Sequence, residues 1–108
     1  MDVIEIIEEQ LASHPIVLYM KGSPDFPQCG FSAQTVQVLK DSCVQFMYVD
    51  ILEEPEVREA LKDYSNWPTY PQLYLKGELV GGCDIIMDLH SKGKLEGMLQ
   101  AAVKMVLI

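Results

Sequence analysis

Hydrophobic positions follow two rhythms along this chain. Val3, Ile7 and Leu11 share one face of residues 2–12, with Glu5, Glu8 and Glu9 elsewhere. That spacing predicts an amphipathic helix, stopped at His14-Pro15. Ile16-Val17-Leu18-Tyr19-Met20 is a continuous apolar run of strand length, which suits a central strand covered on both faces. Lys21 to Gln28 contain Gly22, Pro24 and Pro27 and read as loop. From Cys29 or Gly30 the positions of Val36, Leu39 and Cys43 predict a second helix, and Phe46-Met47-Tyr48-Val49 a second strand. Pro55 suits a first helical turn, and Val57, Ala60, Leu61 and Tyr64 follow at i, i+3, i+4 and i+7. Leu73-Tyr74-Leu75 and Leu79-Val80 flank Lys76-Gly77-Glu78, a hairpin pattern ended by Gly81-Gly82. Two short helices close the chain. The last carries Leu95, Met98, Leu99, Ala102, Val103 and Val106 on one stripe.

The expected order is α-β-α-β-α-β-β-α-α. Strand–helix–strand at the front implies a parallel pair with a crossover helix, and the hairpin adds an antiparallel pair. The fold class is therefore α/β, a mixed four-stranded sheet flanked by helices. At 108 residues, with no repeat, linker or low-complexity tract, residues 1–108 are expected to form a single domain.

Composition narrows the function. Half the residues (49%) are hydrophobic, which argues against disorder. Sixteen acidic against eight basic residues give a net charge of −8, and nucleic-acid phosphates would be repelled. No apolar run approaches the ~20 residues that span a bilayer, and the first residues, Met1-Asp2-Val3-Ile4-Glu5, lack the basic region of a signal peptide. The three cysteines, Cys29, Cys43 and Cys83, are odd in number and widely spaced, unlike a secreted disulfide framework. The expectation is a reduced, cytoplasmic protein without nucleic-acid or membrane partners.

Cys29 stands between the first strand and the second helix. Unpaired N–H groups and the positive dipole end favour a thiolate there, which is both nucleophile and metal ligand. The alternative is a buried, inert cysteine, against which the Gly, Pro and polar neighbours speak. In Cys29-Gly30-Phe31-Ser32 the position of a second, resolving cysteine holds Ser32, so Cys29 works alone, with an external thiol, or with a distant cysteine. Cys43, about 21 Å further along one helix at ~1.5 Å per residue, is too far for a disulfide and is expected in the core.

The first strand, Cys29-Gly30-Phe31-Ser32, Trp67-Pro68-Thr69-Tyr70-Pro71 and Gly81-Gly82-Cys83-Asp84, in this order and spacing, closely resemble the monothiol glutaredoxins of CGFS type, the single-domain bacterial members above all. The resemblance runs from the first helix to about residue 100. It implies a thioredoxin-like fold and a glutathione site. Lys21 and Arg58 would hold the glycyl carboxylate, with Lys21 also steadying the thiolate. The plain alternatives are a solvated lysine and a surface ion pair of Arg58 with Glu54 or Asp63. Thr69-Tyr70-Pro71 matches the family's Thr-x-Pro loop, implying a cis peptide before Pro71 and a Tyr70 backbone that pairs with glutathione like an added strand. A simple strand-entry proline is the other reading. Gly82, the Cys83 backbone and Asp84 would bind the γ-glutamyl end, Asp84 either capping the helix, accepting the amine, or both. Phe31 would pack beside the ligand. The segment from Gly22 to Gln28, longer than in dithiol members, marks the CGFS class.

Iron–sulfur clusters normally take four thiolates. The resemblance implies a homodimer bridging one 2Fe-2S cluster through two Cys29 thiolates, Cys29 being the metal ligand, and two glutathione thiolates. It implies a role in cluster assembly, storage or transfer to apo iron–sulfur proteins, and pairing with a BolA-like protein. A glutathione-dependent thiol–disulfide oxidoreductase reducing mixed disulfides is the alternative, and a Cys29–Cys83 disulfide stays open. Three cysteines with His14 and His90 lack the paired spacing of a zinc site; His90 is expected at a helix end on the surface. The closing Met105-Val106-Leu107-Ile108 either packs on the core or meets a partner.

Overall fold

A computed structural model describes residues 2–104. Its elements are α1 (Val3–Ala12), β1 (Ile16–Met20), α2 (Gly30–Asp41), β2 (Met47–Asp50), α3 (Pro55–Ser65), β3 (Gln72–Leu75), β4 (Glu78–Gly81), α4 (Cys83–Ser91) and α5 (Leu95–Lys104). The expected order of elements is present. The sheet order is β2-β1-β3-β4. β1 runs parallel to β2, with Tyr19 opposite Val49, and antiparallel to β3, with Leu18 opposite Leu73. β3 and β4 form the antiparallel hairpin. This is the thioredoxin-like fold.

The unbroken apolar run of β1 has a physical reason. Side chains alternate across a strand, and both faces of this one are covered. Ile16, Leu18 and Met20 pack with Val36 and Leu39 of α2, Ile86 of α4 and Leu99 of α5. Val17 and Tyr19 pack on the other face with Ile7 of α1, Leu61 of α3 and Tyr74 of β3. All five β1 residues are buried. Asp2 caps α1 by accepting the Ile4 N–H at 2.9 Å.

The helical stripe of α2 stops earlier than its spacing suggests. The helix ends at Asp41 with Ser42 as its C-cap, and Cys43 follows with φ +56°. Cys43 is exposed, not part of the core. A left-handed residue just past a C-cap turns the chain off the helix, so its side chain leaves the buried face. Tyr64 is likewise half exposed where its stripe reaches the last turn of α3. The Val106 position of the last stripe and the Met105–Ile108 run lie outside the described residues. Among the described residues no helix is long and apolar enough to cross a membrane.

Candidate functional site

Cys29 is the N-cap of α2, with extended backbone at φ −152° and ψ 137°. β1 delivers the chain to this point and the loop from Lys21 to Gln28 folds back on itself. Gln28 N–H donates to the Lys21 carbonyl at 2.9 Å, and Gly22 and Pro27 form an antiparallel bridge. Gly22 has φ +91°, and a Cβ there would lie 2.5 Å from the Phe26 carbonyl oxygen. Only glycine fits both that conformation and that approach. Asp50, at the end of β2, ties the loop down: its Oδ1 accepts the Gly22 N–H at 3.0 Å and the Leu52 N–H at 2.9 Å.

The Cys29 thiol is held below the ordinary thiol range. The Ser32 backbone N–H contributes most; burial opposes it; the Phe31 N–H, the Lys21 ammonium and the Ser32 hydroxyl assist. The Cys29 sulfur makes no side-chain cap hydrogen bond to α2. Cys29 is partly exposed. Ser32 is fully buried, and its Oγ accepts the Lys21 N–H at 3.2 Å. The position that would hold a second cysteine therefore serves to anchor the end of β1.

Two adjoining hollows run from this thiol. A cavity of about 300 Å³ brings Cys29 together with Lys21, Arg58 and Lys62. A second, of about 410 Å³, is lined by Trp67, Gly82, Cys83 and Asp84. Phe31, Thr69 and Tyr70 line both, so the two form one groove. A larger hollow of about 500 Å³ near His14 and Tyr64 holds no cysteine, so volume alone does not single out the groove; the Cys29 thiol and the clustered cations do.

Nine of the ten expected site residues line the groove. Pro71 lines neither hollow. It is buried behind them, and the Tyr70–Pro71 peptide is cis. Tyr70 O–H donates to the Arg58 carbonyl at 2.8 Å, tying the Thr69–Pro71 turn to α3. Burial pushes the Tyr70 phenol up, so it stays neutral. Phe31 is exposed over the thiol end. Arg58 makes no ion pair with Glu54 or Asp63 among the described residues. Asp84 does not cap α4: the N-cap is Gly82, without a side-chain cap bond, and Asp84 is exposed in the first turn. That first turn lines the groove through Gly82, Cys83, Asp84 and Ile85, with no side chain closing its N-terminus. Cys83 is a buried free thiol donating to Gln34 Oε1 at 3.4 Å. His90 is exposed in the last turn of α4.

Sequence reading missed three residues. Lys62 reaches the cation end; its one signal was a position four residues after Arg58 on a helix, where side chains share a face. Ser32 showed only the absence of a second thiol. Trp67 packs its indole against the Gly82 backbone: a Cβ at Gly82 would stand 3.3 Å from Trp67 Nε1 and 3.3 Å from the Pro71 carbonyl oxygen. That nitrogen is buried without a hydrogen-bond partner among the described residues.

The glutaredoxin family model matches residues 16–80. The chain belongs to the glutaredoxin family. It is 54% identical over 97 residues to glutaredoxin 4 of Escherichia coli (strain K12), covering 90% of this chain and 84% of that one. Against glutaredoxin 4 of Pasteurella multocida (strain Pm70) the identity is 52% over 99 residues, covering 92% and 91%. The solution structure of reduced poplar apo GrxS14 superposes with a TM-score of 0.82 at 46% identity, covering 94% and 93%. A buckwheat glutaredoxin–glutathione complex, at 22% identity and TM-score 0.82 over 93% and 89%, shares the fold. With Ser32 in place of a second cysteine, this glutaredoxin is of the monothiol type.

Proposed function

We propose that this monothiol glutaredoxin binds glutathione along the groove and carries a 2Fe-2S cluster as one half of a dimer. The observation that carries the reading is the lone Cys29 thiol, its pKa lowered, at the cation end of the groove, with a buried serine where a second thiol would stand. Glutathione is extended and doubly acidic. Its glycyl carboxylate fits Lys21 and Arg58, its backbone fits the Tyr70 backbone, and its γ-glutamyl carboxylate fits the first-turn N–H groups of α4. Asp84 then accepts the γ-glutamyl amine. In this reading the ligand's thiol lies beside Cys29.

Among the described residues no three His, Cys, Asp or Glu side chains gather into a metal site. A cluster that needs four thiolates must take ligands from outside one chain. Cys29 and the bound glutathione thiol give two, and a second such unit gives the other two. Because half the ligands exchange with free glutathione, the cluster is cargo to be passed to apo iron–sulfur proteins. A BolA-like protein replacing one unit would yield a second cluster-bearing form.

Anaerobic mixing of the protein with iron, sulfide and glutathione is expected to give visible charge-transfer absorption and a dimer by mass. Omitting glutathione, or replacing Cys29→Ser, is expected to abolish both. Colour that forms equally in Cys29→Ser sinks the reading.

The lowered pKa of the Cys29 thiol also favours a second activity. Cys29 attacks the glutathione sulfur of a mixed disulfide, forming a Cys29–glutathione disulfide and releasing the substrate thiolate, which takes up a proton. The thiolate of a second glutathione then attacks that disulfide, releasing Cys29 thiolate and oxidised glutathione. Turnover of a small glutathionylated substrate measures it.

A further inference from the structure

Gln72 is an amide in an apolar place. It opens β3 and is fully buried. Leu73 packs with Leu18 and Ile86 on one face of the sheet, and Tyr74 with Val17 and Tyr19 on the other. Strand alternation puts Gln72 on the Tyr74 face. An amide taken out of water is costly unless it is hydrogen-bonded. The Gln72 Nε2 donates to the Trp67 carbonyl at 3.1 Å and to the Thr69 carbonyl at 3.2 Å. Its Oε1 accepts the Tyr74 O–H at 2.9 Å. Burial pushes the Tyr74 phenol up to about 12, so it stays a donor across the neutral range. That O–H fixes which way round the amide sits, because only the NH2 end can satisfy two carbonyls.

The Thr69–Tyr70 peptide is trans, Tyr70–Pro71 being the cis bond among the described residues. In a planar trans peptide the C=O and the N–H point opposite ways. With the Thr69 oxygen turned to the buried amide, the Tyr70 N–H is turned the other way, to the side where Thr69 and Tyr70 line both hollows. Two further ties pin the segment to α3: the Trp67 N–H donates to the Lys62 carbonyl at 3.2 Å, and the Tyr70 O–H to the Arg58 carbonyl at 2.8 Å. Neither of them holds the plane of the Thr69–Tyr70 peptide. We propose that Gln72 is a positioning residue: by holding the Thr69 carbonyl it aims the Tyr70 N–H at the backbone of the bound tripeptide. The inference rests on the reading of the groove as a glutathione site. Gln72 itself lines neither hollow and acts through the peptide it orients.

The test is a glutathione titration of isotope-labelled wild type, Gln72→Met and Tyr74→Phe, with amide resonances followed by NMR and affinity by calorimetry. In wild type the Tyr70 N–H resonance is expected to move downfield as glutathione binds, the mark of a new hydrogen bond. Gln72→Met keeps the bulk and removes both donors. It is expected to weaken glutathione about three- to tenfold, the range of one neutral hydrogen bond, and to lose most of that movement. Tyr74→Phe keeps the amide but frees it to turn over, and is expected to weaken glutathione about twofold with part of the movement lost. Gln72→Met decides where it folds, and Tyr74→Phe where it does not. A merely structural Gln72 would lower the melting point and leave affinity and the Tyr70 movement as in wild type. That result overturns the inference and leaves the groove reading standing, and so does weaker binding with the full Tyr70 movement. Wild type that binds glutathione without moving the Tyr70 resonance overturns it too. If wild type binds no glutathione, the groove reading fails and takes this inference with it.

Discussion

Gly22→Ala tests how tightly the loop before Cys29 is specified. Two costs add at this position. At φ +91° an alanine sits in the left-handed region, roughly 1–2 kcal/mol for a residue with a Cβ. The new Cβ would also stand 2.5 Å from the Phe26 carbonyl oxygen and 2.8 Å from the Gln28 nitrogen. Both are backbone atoms, and each is engaged: Ser23 N–H donates to the Phe26 oxygen at 3.3 Å, and Gln28 N–H donates to the Lys21 oxygen at 2.9 Å. Clearing the methyl lengthens or breaks both bonds, about 1 kcal/mol each. The expected loss is roughly 3–4 kcal/mol, a large share of a typical 5–15 kcal/mol. By the scaling for domains of about this size, roughly 4–8 °C per kcal/mol, the melting point should fall by roughly 12–32 °C. Gly77→Ala is the control. Its φ is +81°, but nothing lies within 4 Å of the added carbon, so only the conformational cost of roughly 1–2 kcal/mol applies. Urea denaturation of both variants gives the two losses, and their difference, about 2 kcal/mol, isolates the close approach. Equal losses would refute the reasoning, as would a Gly22→Ala protein within about 1 kcal/mol of wild type.

Two further predictions concern the same corner. The Cys29 thiolate titration, followed by ultraviolet absorbance, should lie below that of an ordinary thiol; Lys21→Gln should move it up but not all the way, because the Ser32 N–H ranks first among the causes and remains. Since the native thiol's pKa is depressed, the stability it contributes is full above the unfolded thiol's pKa and is lost as pH falls through the native value. Cys29→Ser should erase that dependence in melting curves recorded across the interval. Asp50→Ala removes the acceptor of two backbone N–H groups, a loss of roughly 2–3 kcal/mol for a charged acceptor in part-exposed surroundings. Asp50→Asn keeps an acceptor oxygen and should lose clearly less in the same denaturation assay.

Much of this molecule is local in origin. The period of two or 3.6 in apolar positions, the prolines at 15 and 55, and the glycines that end β4 are properties of neighbouring residues, so the elements could be placed to within a few residues. The β1 run even carried tertiary information, because a strand without polar positions has to be covered on both faces. The cysteine at the start of α2 was equally legible, since the chemistry of a helix N-terminus belongs to the helix itself.

Periodicity misled where a helix ended. Cys43 keeps the spacing of the α2 stripe, but one left-handed residue past the C-cap carries it into solvent. Where a helix stops depends on what its last turn meets, and spacing does not record that. The groove is the larger case. Lys21 follows β1, Lys62 rides on the last turn of α3, Trp67 packs against Gly82 from the segment before β3, and Asp50 reaches across from β2 to Gly22. Sequence alone determined that this protein has one poised thiol, a thioredoxin-like order of elements and a short supply of positive charge. Only the folded sheet decided that three of those charges share a cavity with the thiol. Electrostatic attraction and backbone pairing act through space, and the β2-β1-β3-β4 order sets which distant residues are neighbours.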